Sequence, residues 1–302
     1  MKKITIFGSS GFIGKNLVKS LQENNEVQEI SLRNTSWKND VVANTEVFIN
    51  LVGKAHDHKG TATEKEYYFA NVELAQQLFE IFKKSEAKLF IHISSLAALE
   101  EFESIKPLEE TDECNPISLY GKSKREAEEW LLNEELANNK KLIIIRPPMV
   151  HGPGDKGNLG LLYKVISKGI PYPLASFNNA RSFISIDNFN FYIKKIIEKN
   201  ENLDNGIYHI SDNETVATNE IIEVIKKVEN IKILNINLPK SMIKALARVG
   251  DFIPIPLNTK KLKKLTNNLI ISNQKIRNLL EIKKLPLTAE QGLEKTIKSF
   301  KK

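Results

Sequence analysis

Lys3-Ile-Thr-Ile-Phe-Gly-Ser-Ser-Gly-Phe-Ile-Gly14 decides how this chain is read. Its first half, Ile4–Phe7, has the length and apolar character of a buried strand, and glycines at 8, 11 and 14 follow at once. A G-x-x-G-x-x-G run between a strand and an amphipathic stretch (Gly11–Gln22) has a mechanical meaning. Gly8 permits a tight turn, Gly11 lets backbone amides approach a pyrophosphate, and Gly14 lets the helix pack closely on the strand. The helix N-terminus then presents unpaired N–H groups and a partial positive charge to phosphates. Three spaced glycines can be merely structural; their place after the first strand makes them a dinucleotide loop. Gly8, Ser10, Gly11, Phe12, Ile13 and Gly14 are therefore expected to bind a cofactor.

The choice of dinucleotide depends on the end of the second strand, where an acid would hold ribose hydroxyls and an arginine a 2′-phosphate. The segment here is Glu29-Ile-Ser-Leu-Arg33, with no acid at the strand end. Ser31 and Arg33 favour NADP over NAD, against the plainer reading of Arg33 as a solvent-exposed loop cation.

Outward from this loop, short apolar runs alternate with helical stretches. Ile4–Phe7, Val47–Val52, Leu89–Ile93 and Leu142–Ile145 read as buried strands, Val27–Leu32 as a weaker one. Gly11–Gln22, Tyr67–Lys84 and Ser118–Asn138 have helical spacing. This succession predicts an α/β fold, a Rossmann-type doubly wound parallel sheet. The pattern changes at Pro147-Pro148. Beyond it a helix to about Lys168, strands at Arg181–Ile186 and Gly206–Ile210, and helices at Thr218–Val228 and Lys240–Val249 are expected. They form a smaller, partly interleaved C-terminal α/β lobe. The expected division is 1–170 for the dinucleotide domain, with contributions from about 183–211, and 171–302 for the substrate lobe.

With 41% hydrophobic and 27% charged residues among 302, the chain has the composition of a globular protein with a substantial core. Its one cysteine, Cys114, excludes an intramolecular disulfide and reads as an incidental loop residue. No apolar run approaches the roughly 18–20 residues of a membrane span, and the N-terminal apolar run is too short for a signal peptide. A cytoplasmic location is expected. The net charge is +7, with much of the excess lysine after residue 239. No aromatic-interleaved basic motif accompanies it, so nucleic acid is not an expected partner. The lysine-rich segments read as solvated helix faces, with weak attraction to an anionic substrate or a membrane surface left open.

Tyr120-Gly-Lys-Ser-Lys124 opens a helical stretch, and a spacing of four puts Tyr120 and Lys124 on one face. A free phenol, with a pKa of about 10, is a poor acid or base at neutral pH. A nearby ammonium and an oxidised nicotinamide would favour its phenolate. Ser94-Ser95 ends the strand Leu89–Ile93, where ligands bind in open α/β sheets. Ser95 is thus placed to hold the reacting oxygen; its plainer role is to cap the following turn.

These motifs together resemble the extended short-chain dehydrogenase/reductases, the family of nucleotide-sugar epimerases, dehydratases and reductases. Gly8–Gly14, Asn50-Leu-Val-Gly-Lys-Ala-His56, Asn71-Val72, Ile93-Ser-Ser95, Tyr120–Lys124, Arg146-Pro-Pro-Met-Val-His-Gly-Pro153, Arg181–Asp187 and Leu287–Leu293 carry the resemblance over nearly the whole chain. It implies a catalytic trio of Ser95, Tyr120 and Lys124. It also implies a cofactor cleft lined by Leu51, Val52, Gly53, Asn71 and Pro147 besides Tyr120 and Lys124. Asn158 and Arg181, with Ser95, match substrate positions, the first two toward a nucleotide diphosphate; the arginine fork suits phosphate oxygens. A UDP-linked sugar is the implied substrate, and a homodimer through Tyr67–Lys84 and Ser118–Asn138 the implied assembly.

The leading expectation is a reductase of a UDP-4-keto-6-deoxy-N-acetylhexosamine serving surface-polysaccharide synthesis; the alternative is a UDP-sugar 4-epimerase. A dehydratase is disfavoured because Leu96-Ala97 replaces the acidic pair usual after its catalytic serine or threonine. A non-catalytic dinucleotide sensor would commonly have lost the tyrosine or lysine retained here. The family often has Tyr-Gly where Leu99-Glu100 stands and tyrosine where His151 stands, both near the expected sugar pocket. His56 and His58 lack a third ligand motif, so no metal is expected; His56 is a candidate pocket-lining residue. His92 and His209 read as core histidines, and Trp37 and Trp130 as packing.

Overall fold

The computed structural model describes residues 1–33, 36–42, 44–55, 61–155, 157–172, 174, 176–233, 238–253 and 258–301. The first five parallel strands are β1 (Lys3–Phe7), β2 (Glu26–Ile30), β3 (Val47–Asn50), β4 (Leu89–Ile93) and β5 (Lys141–Arg146). β6 (Met149–His151) and β7 (Phe183–Ser185) pair in a separate two-stranded sheet, and β8 (Gly206–His209) returns to the main one. The main order is β2-β1-β3-β4-β5-β8. Every pairing in it is parallel.

Strand alternation sorts the core by shape. Ile4, Ile6, Val47, Ile49, Ile91, Ile143 and Ile145 face one side, where α1 (Phe12–Leu21) and α6 (Ile186–Glu198) cover them. Phe7, Phe48, Phe90, Leu142 and Ile144 face the other, under α3 (Leu74–Lys84) and α4 (Leu119–Asn133). Phe79 and Phe82 of α3 meet Phe90 with ring centroids 5.2 and 5.3 Å apart. Trp37 stands edge-on to Phe7 at 6.2 Å, and Trp130 edge-on to Phe79 at 6.1 Å, so both tryptophans pack as expected. A third core joins α5 (Asn158–Ile166), α7 (Thr218–Glu229), α8 (Lys240–Val249), α9 (Thr259–Thr266) and α11 (Ala289–Phe300). The short α10 (Gln274–Leu279) buries Ile276 in the first core.

The sequence reading gave no bounds for β6, α6, α9, α10 or α11, and three of the elements it did bound differ most. The stretch Tyr67–Lys84 is not one α-helix: α2 (Glu64–Tyr68), capped by a Thr63–Glu66 box, passes through a π-turn at Phe69–Glu73 before α3. The helix Ser118–Asn138 ends at Asn133, and Glu134 takes extended backbone. The strand Arg181–Ile186 shortens to Phe183–Ser185 because Ser185 caps α6, its Oγ accepting from Asn188 N at 3.3 Å. Among the described residues no helix is long and apolar enough to cross a membrane.

Candidate active site

Because β2 and β3 lie on opposite sides of β1, a crevice opens at the carboxyl ends of β1 and β3, where open α/β sheets bind ligands. The chain leaves β1 through Gly8 at φ +85°; a Cβ there would stand 3.0 Å from the Leu51 carbonyl carbon and Val52 N. The exit from β1 therefore lies flat against the exit from β3. A Cβ at Gly14 would stand 2.5 Å from Gly8 O, so α1 meets the loop with no room for a methyl. Gly11 caps α1 without a side-chain hydrogen bond, and the first turn carries no acid. This exposed, glycine-cleared helix start fits a pyrophosphate. The Phe12 ring turns away toward Gly152, and Ile13 packs against the first core. Ser31 and Arg33 are exposed just past β2.

The floor beyond β3 is built by amides. Asn50 Oδ1 accepts from Val52 N at 2.9 Å, and its Nδ2 pairs with buried His92 Nδ1 at 3.0 Å. Asn71, in the π-turn, accepts from Lys54 N at 2.8 Å and donates to Ser123 Oγ at 2.8 Å. π-turns reorient single side chains in this way at functional sites. A Cβ on Gly53 would lie 2.7 Å from Asn71 Oδ1 and 3.1 Å from Lys124 Nζ. Gly53, Asn71 and Lys124 thus form one wall.

Ser95, Tyr120 and Lys124 come together at the end of β4. Ser95 Oγ accepts from Ala97 N at 3.2 Å, so it does cap the next turn, and its side chain stands near enough to the Tyr120 phenol to favour the phenolate. Burial pushes the Tyr120 phenol above its ordinary value, opposed by the neighbouring Ser95 side chain. Lys124 is only 4% exposed and donates to Ile93 O at 2.9 Å. Burial brings its ammonium down to about 8, with Glu128 acting in the opposite sense.

Two carboxylates absent from the sequence reading place this trio. Glu101 accepts from Ile117 N at 3.1 Å and Ser118 N at 2.7 Å, anchoring the start of α4. Ser118 caps that helix through Gly121 N, and a side chain on Gly121 would collide with Ala97 O. Fully buried Glu128 receives Arg146 through Nε at 2.8 Å and Nη2 at 2.6 Å, and Ser94 Oγ at 2.5 Å. It ties α4 to β4 and β5. The signal was present: Tyr120, Lys124 and Glu128 recur every four residues on one helix face.

Pro147 is buried, and its carbonyl accepts from Leu96 N at 2.8 Å beside Ser95. Asn158 is exposed at the first position of α5. Arg181 pairs through its backbone with Val216 and Leu269; its Nη1 donates to Asn267 O at 3.2 Å, and burial lowers its guanidinium to about 10. His151 is not a pocket residue. It is fully buried, with Nδ1 2.9 Å from Thr296 Oγ1, and burial lowers it to about 4. Leu99 is likewise buried in a core cluster. Cys114 is more than a loop residue, because Arg146 Nη2 donates to its Sγ at 3.4 Å. His209 is fully buried. His56 and His58 lie outside the described residues.

A glycine-cleared helix start at the β1/β3 crevice and, one strand further, a trio of half-buried Ser95 and Tyr120 with buried Lys124 define a dinucleotide-dependent oxidoreductase of the short-chain type. The chain belongs to the NAD-dependent epimerase/dehydratase family, whose profile matches residues 4–211. A Vibrio cholerae protein named UDP-glucose 4-epimerase is 32% identical over 247 residues, 73% of this chain and 74% of that one. An Escherichia coli O157:H7 protein named N-acetyl-alpha-D-glucosaminyl-diphospho-ditrans,octacis-undecaprenol 4-epimerase is 24% identical, covering 78% and 75%. In fold, the chain matches the Bacillus cereus UDP-glucuronic acid 4-epimerase in complex with NAD at TM-score 0.76, 19% identity and 99% and 98% coverage. It matches RMD from Pseudomonas aeruginosa, complexed with NADPH, at TM-score 0.76, 15% identity and 99% coverage of both.

Proposed function

We propose that the chain transfers hydride at C4 of a UDP-linked sugar, acting as a reductase of a UDP-4-keto-6-deoxy-N-acetylhexosamine. The observation that carries the chemistry is the meeting of the Ser95 and Tyr120 side chains beside the buried Lys124 ammonium. When bound, the dinucleotide supplies or accepts the hydride and, oxidised, adds a positive charge beside Tyr120. Ser95 holds the oxygen on C4. Tyr120, kept neutral by burial, delivers its proton as that oxygen gains charge. Lys124 holds the nicotinamide ribose and favours phenolate in the reverse direction. In this reading Gly8, Ser10, Gly11, Phe12, Ile13 and Gly14 cradle the pyrophosphate through backbone, and Leu51, Val52, Gly53, Asn71 and Pro147 line the cleft. Asn158 and Arg181 meet the nucleotide diphosphate, and α3 and α4 form a homodimer.

The acid-free end of β2, with exposed Ser31 and Arg33, supports NADPH and hence reduction with an exchanging cofactor. The Vibrio cholerae relative's name favours the second reading, a 4-epimerase that retains its cofactor. Incubation with a UDP-4-keto-6-deoxy-N-acetylhexosamine and NADPH separates them. Stoichiometric loss of NADPH absorbance is expected. Conversion of UDP-glucose or UDP-N-acetylglucosamine to its C4 epimer without added cofactor would establish the epimerase instead.

A further inference from the structure

Helix α8 buries only Ile243 and Ala247, one turn apart, at 2% and 1% exposure. One apolar stripe toward the core is the rule for a surface helix. α8 carries a second. Met242, Leu246 and Val249 recur at spacings of four and three, exposed at 50%, 51% and 48%, and Phe252 and Ile253 extend them at 91% and 54%. Large apolar side chains exposed together in this way mark an interaction surface.

The charge around this stripe indicates what covers it. Lys240, Lys244 and Arg248 recur every four residues on another face of α8, and α9, packed on α8, adds Lys260, Lys261, Lys263 and Lys264. Residues 239–266 hold these seven cations and one acid, Asp251, in a chain whose whole net charge is +7. Asp251 is engaged internally, accepting from Thr259 N at 2.9 Å and Thr259 Oγ1 at 2.6 Å. That tie holds Asp251, next to Phe252, against the start of α9.

We propose that α8, the Phe252-Ile253 turn and the lysines of α9 form a docking element that seats the protein on an anionic lipid bilayer. An apolar stripe backed by a cationic face is the composition of helices that lie in the membrane interface. The lysines meet anionic headgroups, and Met242, Leu246, Val249, Phe252 and Ile253 enter the acyl boundary. A second copy is a poorer occupant, because an isologous contact would set this cationic face against itself. The docked face adjoins the substrate side: Lys264 is close enough to Arg181 and Glu101 to feel both charges. This proposal is independent of whether the enzyme reduces or epimerises.

The test is co-sedimentation of the full chain with vesicles of phosphatidylcholine alone and of phosphatidylcholine with roughly one third phosphatidylglycerol. Binding to the anionic vesicles is expected, falling about tenfold or more when Leu246→Ser and Phe252→Ser are combined. These side chains are exposed, so an unchanged unfolding midpoint is expected for the variant. Lys260→Glu with Lys261→Glu should abolish the preference for anionic vesicles. Equal binding by wild type and the apolar double variant would overturn the proposal. So would absence of binding to either vesicle. A wild-type dimer that the apolar double variant converts to monomer would overturn it in favour of a second copy.

Discussion

Replacing Lys124 by methionine should make the protein more stable at neutral pH while abolishing its chemistry. The fall of the ammonium from 10.5 to about 8 arises first from burial. It corresponds to about 3 kcal/mol of unfavourable energy in the charged folded form. Methionine of similar length removes that cost but also the hydrogen bond to Ile93 O, worth about 1 kcal/mol. The net gain is about 2 kcal/mol at pH 7, or an unfolding midpoint about 3 °C higher. The pH dependence is the sharper test. In the unfolded chain the lysine stays charged to about 10.5, and in the folded chain it loses its proton at about 8. The cost is therefore complete below pH 8 and declines as pH rises toward 10.5. Urea unfolding of both proteins at pH 7 and near pH 10 should show the variant's advantage shrinking at the higher pH. A variant less stable at pH 7, or a difference independent of pH, would refute this reasoning.

Tyr120→Phe should lower turnover by about 10²–10⁴-fold with the unfolding midpoint nearly unchanged, measured by initial rates beside denaturation. Gly14→Ala forces a methyl to within 2.5 Å of Gly8 O; a loss of about 1–3 kcal/mol and of the thermal shift caused by added dinucleotide is expected. Glu128→Gln leaves the buried Arg146 without its counter-charge and should cost about 3–5 kcal/mol in urea unfolding. Adding Arg146→Met should recover part of that loss.

The sheet, its flanking helices and the dinucleotide loop were legible because their signals are local: apolar strands, helical spacing, three glycines within seven residues. The same holds for the Tyr120–Lys124 spacing. Glu101 and Glu128 were missed because their partners come from elsewhere in the chain. Ser94 and Arg146 stand 34 and 18 residues from Glu128, and Ser118 stands 17 from Glu101. The π-turn at Asn71 leaves the apolar spacing of its neighbours intact and so has no signature in it. α6 was hidden by its start, since Phe183-Ile-Ser-Ile186 reads as strand until Ser185 caps the helix. His151 was expected near the sugar pocket by analogy of position, whereas its partner Thr296 lies 145 residues away.

The pairing of β8 with β5 has a consequence for how the chain is made. β5 ends at Arg146 and β8 begins at Gly206, so a ribosome completes the glycine loop and the Ser-Tyr-Lys residues well before the last strand exists. Until then β5, with Leu142–Ile145 destined for full burial, ends the sheet with an unpaired backbone edge, an invitation to another nascent chain. A fragment cut near residue 170 would carry every catalytic group and still be prone to aggregate.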